Sequence, residues 1–182
     1  MASQRSSFLK ILILTCLSIV VLSIAFRSLT KANMLKNVTV ADGSDINSTQ
    51  ENISLRDNIV NYGMELLGTP YVQSGTDKDG FDCSGFVYYV FKHFKIEVPR
   101  SSPQYENFGK EIPIDKLKKG DILIFLSPTS NVIGHLGIVT NPKGMESDFI
   151  HSTSGRQMKV VISSLKVPGY KSRFVKAISV IN

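Results

Sequence analysis

Leu55, Ile59, Tyr62 and Leu66 recur at helical spacing, with Ser54 ahead of them as an N-cap and Asp57 in the first turn. Gly68 and Pro70 end that helix. A polar, glycine-containing loop from Ser74 to Gly80 follows. Phe86, Val87, Val90, Phe91 and Phe94 then repeat at helical spacing, which predicts a second helix from Asp82 to His93. Its apolar face is wide enough for a core helix. Beyond it the period changes. Asp121–Leu126, Ile133–Thr140, Asp148–Ser152, Met158–Ile162 and Phe174–Ile181 are short apolar or alternating runs separated by Gly, Pro, Asn and Ser. Helices first and consecutive strands afterwards predict an α+β domain, N-terminal helices packed on a C-terminal antiparallel β-sheet.

Two stretches stand outside this pattern. Ile11–Phe26 carries no charge and follows Arg5 and Lys10. It falls just short of the roughly 20 apolar residues of a membrane-spanning helix. Ser23-Ile24-Ala25 offers the small residues that a leader peptidase reads. Residues 1–26 are therefore expected to be a signal peptide or a retained N-terminal membrane anchor. A buried core helix is disfavoured, because the run has no polar face. Lipid attachment at Cys16 is disfavoured too: Thr15 is not the usual small residue, and the apolar run continues past the cysteine. Residues 27–53 are rich in Asn, Ser, Thr and Asp and read as a flexible linker, with the domain proper at 54–182. The expected localisation is exported, in the periplasm or cell envelope. The three Asn-X-Ser/Thr matches in the linker arise easily in such a composition and carry no weight.

Composition sharpens this picture only in part. A chain of 182 residues with 42% hydrophobic and 20% charged residues is globular in type, not wholly disordered. Two cysteines exclude a disulfide scaffold and a four-cysteine zinc ribbon. The net charge of +6 suggests an anionic partner until it is located. Of the 21 Lys and Arg side chains, five (Arg5, Lys10, Arg27, Lys31 and Lys36) lie in residues 1–36, which hold no acid. The other 16 share the rest of the chain with all 15 acids. A nearly neutral body has no clustered basic face, so no nucleic-acid partner is expected. Two small clusters, Lys116/Lys118/Lys119 and Lys166/Lys171/Arg173, read as solvated surface.

The candidate chemistry rests on few residues. Cys83 is the one cysteine of 54–182 and falls in the first turn of the predicted second helix. There the helix dipole favours a thiolate, and such sites bring a cysteine pKa from about 8.5 to roughly 3.5–7.5. Asp82 is placed to cap that helix. A thiolate nucleophile needs a proton shuttle, and the sequence has three histidines. His93 lies on the same helix about 15 Å further along the axis and is excluded as a partner. His135 and His151 lie in strand patterns, His135 between two glycines in Gly134-His135-Leu136-Gly137. A cysteine, a base and a group orienting the base form the usual nucleophilic arrangement. Zinc is disfavoured, since no close ligand pair exists and the ion usually takes three or four protein ligands.

The local motifs go further. Gly80-Phe81-Asp82-Cys83-Ser84-Gly85-Phe86-Val87, then Pro99-Arg100-Ser101-Ser102 with Gln104, then Leu117-Lys-Lys-Gly120-Asp121-Ile-Leu-Ile-Phe125, then Gly134-His135-Leu136-Gly137-Ile138 follow in order. The stretch from Tyr71 to Gly155 thereby resembles the NlpC family of bacterial cell-wall cysteine peptidases, a papain-like group. The resemblance implies a papain-like fold with the nucleophile, Cys83, at a helix N-terminus. It implies His135 as base and His151 as the third polar residue that orients it. Tyr71 and the Cys83 backbone N–H would stabilise the oxyanion, and Asp82, Ser84, Arg100 and Ser102 would face substrate. The implied reaction is hydrolysis of an amide bond in peptidoglycan stem peptides, typically between D-glutamate and a diamino acid, with no metal or organic cofactor. The implied partners are those stem peptides, and the membrane where the N-terminal segment is retained; no oligomeric state follows. Two departures affect the cleft rim. Ser74 replaces the first of two glycines common after the tyrosine, and Thr76–Gly80 lacks the usual proline. The alternatives are a thiol amidase or acyltransferase on another substrate, and a catalytically inactive envelope-binding module, which three competent catalytic positions disfavour.

Overall fold

Ser54 starts the first helix as its sequence predicts: its Oγ accepts the backbone N–H of Asp57 at 3.1 Å. This computed structural model describes residues 54–181. The expected signal or anchor, Cys16 and the linker lie outside the described residues. Helix α1 (Leu55–Glu65) buries Ile59, Val60 and Gly63. Leu55 is 46% exposed, so the apolar stripe begins one turn later than its spacing suggests. The stretch expected as a plain loop holds a short hairpin, β1 (Thr76–Asp77) and β2 (Gly80–Phe81). Asp77 makes the turn, its Oδ1 accepting the Asp79 N–H at 3.0 Å. Helix α2 (Cys83–His93) follows directly and is the core helix predicted, with Phe86, Val87, Val90 and Phe91 fully buried.

The rest of the chain forms an antiparallel sheet: β3 (Lys110–Ile112), β4 (Ile122–Leu126), β5 (Ile133–Asn141), β6 (Asp148–Thr153), β7 (Lys159–Ser164) and β8 (Phe174–Ser179). The spatial order is β3-β8-β4-β5-β6-β7. The expected α+β architecture is what is found. Strand β3 is too short and too polar to show a period, which is why the hydrophobic pattern misses it. Ile122 and Ile124 face the helices, together with Ile59, Phe86, Leu136, Ile138 and Ile150. Leu123 and Phe125 face the other way, into a second cluster with Leu117, Val139, Phe149 and Leu165. With both faces covered, β4 reads as a continuous apolar run instead of an alternating one.

Three further features position the site. The chain leaving α1 runs along the edge of β7, with Val160 N–H donating to Thr69 O at 2.8 Å and Tyr71 N–H to Met158 O at 2.9 Å. The buried Ser152 hydroxyl, on β6, donates to Phe81 O at 2.7 Å and so fixes the residue two before Cys83. A single helical turn, α3 (Pro168–Lys171), presents Tyr170 to the second core cluster. On the far side, the fully buried Asp121 accepts from Arg56 Nη1 at 2.8 Å and joins α1 to the sheet.

The basic clusters divide. Lys119 pairs with Asp57 at 2.8 Å and Lys166 with Glu146 at 2.9 Å, both on the surface. Arg173 corrects the solvated-surface reading. Its Nη1 donates to Leu126 O and its Nε to Gly169 O, each at 2.8 Å, while the guanidinium lies 5.4 Å from the Tyr170 ring centre. Among the described residues no helix is long and apolar enough to cross a membrane.

Candidate active site

Asp82 ends the extended segment before α2, and its Oδ1 accepts the Gly85 N–H at 2.6 Å, the N-cap its sequence position predicts. Gly85 has no alternative there: a Cβ would come within 2.0 Å of Gly75 O, so α2 could not seat against the 75 loop. The same carboxylate accepts from Arg100, Nη2 to Oδ2 at 2.8 Å and Nη1 to Oδ1 at 3.1 Å. Ser84 Oγ joins this network, donating to Asp82 Oδ1 at 3.2 Å and accepting from Arg100 Nη1 at 3.1 Å. Arg100 is thus an ordered, forked partner of the cap residue and not an ordinary turn residue.

These side chains line a cleft of about 550 Å³ that also contains Tyr71, Gln73, Ser74, Cys83, Ser102 and Gly134. All six predicted residues outside the histidine pair therefore border one space. Ser102 does so from the first position of the single turn Ser102–Tyr105.

Cys83 sits where α2 meets the sheet. Its Sγ–H points to Gly134 O at 3.6 Å, which sets the sulfur against the backbone beside His135. His135 lies on β5 on the face opposite Leu136 and Ile138, and belongs with Phe125, its register partner on β4. On β6, His151 shares that face with Phe149, since Ile150 points to the helices. The two imidazoles meet there, His135 Nε2 to His151 Nδ1 at 2.8 Å. Nδ1 is then the ring nitrogen of His135 left for Cys83. Gly137 makes room for the arrangement: a Cβ there would approach the Phe149 ring to 2.4 Å, and that ring packs 4.9 Å from His151. His93 stands apart, exposed and stacked on Tyr62 with ring centres 3.9 Å apart, as its exclusion requires.

Electrostatics depart from expectation at the sulfur. Burial pushes the Cys83 thiol up to about 11, and the Asp82 carboxylate adds to this; backbone hydrogen bonds from Ser84 and Leu136 oppose it more weakly. The predicted lowering at the helix terminus is outweighed, because the sulfur has lost most of its water and its nearest charge is negative. Burial also drives the His135 imidazole down to about 3 and His151 well below its usual value, with Arg173 acting on both in the same direction. Burial thus favours the neutral form of the thiol and of both imidazoles. Burial raises Tyr71 as well, followed by the proximity of Cys83 and Asp82.

Two contacts escaped the sequence reading. His151 Nε2 meets Ser163 Oγ at 2.9 Å and the Tyr170 hydroxyl at 3.4 Å. Ser163 lies on β7 two residues beyond Val161, the register partner of His151, so only a known strand pairing reveals it. Tyr170 follows Pro168-Gly169, which reads as a loop. Among the described residues no group of His, Cys, Asp and Glu is arranged to hold a metal ion. A thiol set against the strand that carries one imidazole, itself held by a second buried imidazole, brings together the group types that nucleophilic acyl transfer uses.

The chain is similar to known proteins. The chain is 30% identical over 159 residues to the Escherichia coli (strain K12) murein DD-endopeptidase MepS/murein LD-carboxypeptidase, covering 80% of each chain. It is 31% identical over 122 residues to a gamma-D-glutamyl-L-lysine dipeptidyl-peptidase of Bacillus cereus, covering 66% of this chain but 35% of that protein. A crystal structure of an NlpC/P60 family protein from Bacillus cereus superposes with a TM-score of 0.64 at 29% identity, covering 71% of this chain and 41% of that one. Residues 68–179, which hold both walls of the cleft and every predicted site residue, match the NlpC/P60 family model, and the chain belongs to the NlpC/P60 family.

Proposed function

We propose that the protein is a cell-wall cysteine endopeptidase that hydrolyses amide bonds in peptidoglycan stem peptides, with Cys83 as nucleophile, His135 as base and His151 as its orienting partner. The observation that carries this reading is the junction at the head of α2. A free thiol lies against the strand that bears His135, whose far nitrogen is taken by His151 at 2.8 Å. The family membership and the murein-cleaving relatives support the substrate class.

The reaction follows from the neutral resting state. As Sγ attacks the scissile carbonyl carbon, its proton passes to His135 Nδ1 and the carbonyl oxygen becomes an oxyanion. The Cys83 backbone N–H, free at the helix N-terminus, and the Tyr71 hydroxyl are the donors offered to that oxygen. The C–N bond then breaks, His135 returns the proton to the leaving amine, and a thioester remains on Cys83. Water, deprotonated by His135, attacks the thioester; the acid product leaves and the thiol is restored. The imidazolium exists only while the oxyanion faces it, so the buried site never holds an unbalanced cation.

Asp82, Ser84, Arg100 and Ser102 bind the peptide on the open side of the cleft. Within the stem, the bond we assign is the one between D-glutamate and the diamino acid, following the resemblance. The protein acts outside the cytoplasmic membrane, delivered or held there by residues 1–26. Mass spectrometry of purified peptidoglycan fragments after incubation with the full chain tests all of this at once. New D-glutamyl carboxyl and diamino-acid amine ends are expected, and none with Cys83→Ala. Turnover by pure Cys83→Ala of native circular dichroism would overturn the mechanism; cleavage at another stem bond would overturn the bond assignment alone.

A further inference from the structure

The hydrogen bond between His135 and His151 has room for one proton, and its two positions are not equivalent. Held on His135 Nε2, it leaves His135 Nδ1 with a lone pair toward Cys83. Held on His151 Nδ1, it forces the His135 proton onto Nδ1, where no base remains. Both rings are neutral, so the choice is made at the other end of the pair, by what His151 Nε2 meets.

That nitrogen meets two hydroxyls. Ser163 Oγ lies at 2.9 Å from β7 and the Tyr170 hydroxyl at 3.4 Å from α3. The remaining neighbours of His151 are His135 on β5, Phe149 on its own strand, and the Tyr170 ring with Arg173 behind it. Either hydroxyl can donate or accept, but they are not equal acceptors. The phenol is the more acidic group, and the Arg173 guanidinium over its ring draws electron density from the oxygen. Ser163 is closer and carries no such bias.

We propose that Ser163 is a positioning residue of the catalytic site: its Oγ accepts the His151 Nε2 proton, and the resulting ladder of donors leaves His135 Nδ1 free to act as base. Tyr170 is the competitor. Where Ser163 is absent, the phenol donates to His151 Nε2, the ladder reverses, and His135 presents N–H instead of a lone pair to the thiol. This rests on the reading of His135 as the base.

Nitrogen-15 imidazole spectra and steady-state kinetics of the full chain test it together. In the unaltered protein His135 is expected to show a protonated Nε2 and an unprotonated Nδ1, the pattern that Ser163→Ala reverses. Ser163→Ala should lower kcat about tenfold or more with KM unchanged, a scale taken from the loss of hydrogen-bond partners that orient metal-bound histidines. Ser163→Thr, which keeps the hydroxyl, should restore both readouts. Adding Tyr170→Phe to Ser163→Ala removes the competing donor and should recover part of the lost kcat, which mere loss of packing would not do. A protonated His135 Nδ1 in the unaltered protein, or Ser163→Ala with unchanged kcat and unchanged nitrogen signals, would overturn the proposal. A protein with the expected nitrogen pattern but no turnover of wall fragments would instead overturn the function proposed for the site.

Discussion

On the helix wall of the cleft, Asp82 and Arg100 keep full charges within reach of water, their side chains 14% and 34% exposed. On the sheet wall, His135 and His151 are 9% and 0% exposed and both are held neutral by burial. The first pair is forked and ordered, yet open enough to water that its polar groups can also meet a polar ligand without a full desolvation cost. The absence of solvent makes any charge on the second pair expensive unless an opposite charge appears beside it. One wall is therefore suited to recognising a peptide, and the other to moving a proton only when a transition state supplies the balancing oxyanion. Cys83 stands at the seam, its backbone in the helix wall and its sulfur against the sheet wall.

The largest test of this division compares His135→Ala with Arg100→Ala. Losing the base should reduce kcat by about 10²–10⁴ and leave KM nearly unchanged. Losing Arg100 should raise KM about tenfold with a smaller effect on kcat, because Asp82 still caps α2 through the Gly85 N–H. Steady-state kinetics on a defined stem peptide read both. If Arg100→Ala instead lowered kcat at constant KM, the helix wall would be part of the chemistry and the contrast between the walls would fail.

The helix wall is the more legible of the two in the amino-acid sequence, and the reason is local. Asp82, Cys83 and Ser84 are consecutive, and a cap followed by an apolar helical period states its own geometry. The sheet wall is assembled from β5, β6, β7 and α3, so its contacts depend on a register that no short stretch contains. His135 and His151 emerge as candidates through their residue type and the family motif. Ser163 has neither a distinctive type nor a motif, and Tyr170 sits behind a Pro-Gly pair that suggests a loop. The thiol's raised pKa was hidden for the same reason: the helix terminus is local, whereas the burial that outweighs it comes from the sheet.

Acid and alkali should unfold the protein through different sides of the catalytic pair. His135 has a folded pKa of about 3 against the ordinary 6.5, so between these values the unfolded chain binds the proton that the folded site refuses. Stability contributed by the neutral ring is complete above about pH 6.5 and is lost as the pH falls toward 3, and His151 acts in the same direction. Cys83 is the mirror case. Its folded value is raised from 9.0 to about 11, so its contribution is complete below pH 9 and declines as the pH rises toward 11. Thermal melts across pH should show a plateau between those limits. Cys83→Ala is expected to flatten the alkaline arm and His135→Gln the acid arm. An acid arm that kept its slope in His135→Gln/His151→Gln would mean that the sheet wall is not held neutral.

The smallest effect is expected on the rim of the helix wall, at Ser74. Its backbone has φ +61°, the left-handed region that glycine occupies without penalty, and this is the position where the resemblance leads one to expect glycine. A non-glycine residue there costs about 1–2 kcal/mol. Ser74→Gly removes that strain but adds about 0.4–1 kcal/mol of chain entropy to the unfolded state. The two partly offset each other, leaving a net stabilisation between about 0 and 1.6 kcal/mol, which denaturant titration can read. The substitution lies beside the peptide-binding groups and away from the histidines, so kcat should not move. A fall in stability would show that the Ser74 side chain makes a compensating contribution to the rim. A fall in kcat would show that the rim reaches, through Tyr71, into the proton-moving wall, and that the two walls are less separate than their burial makes them.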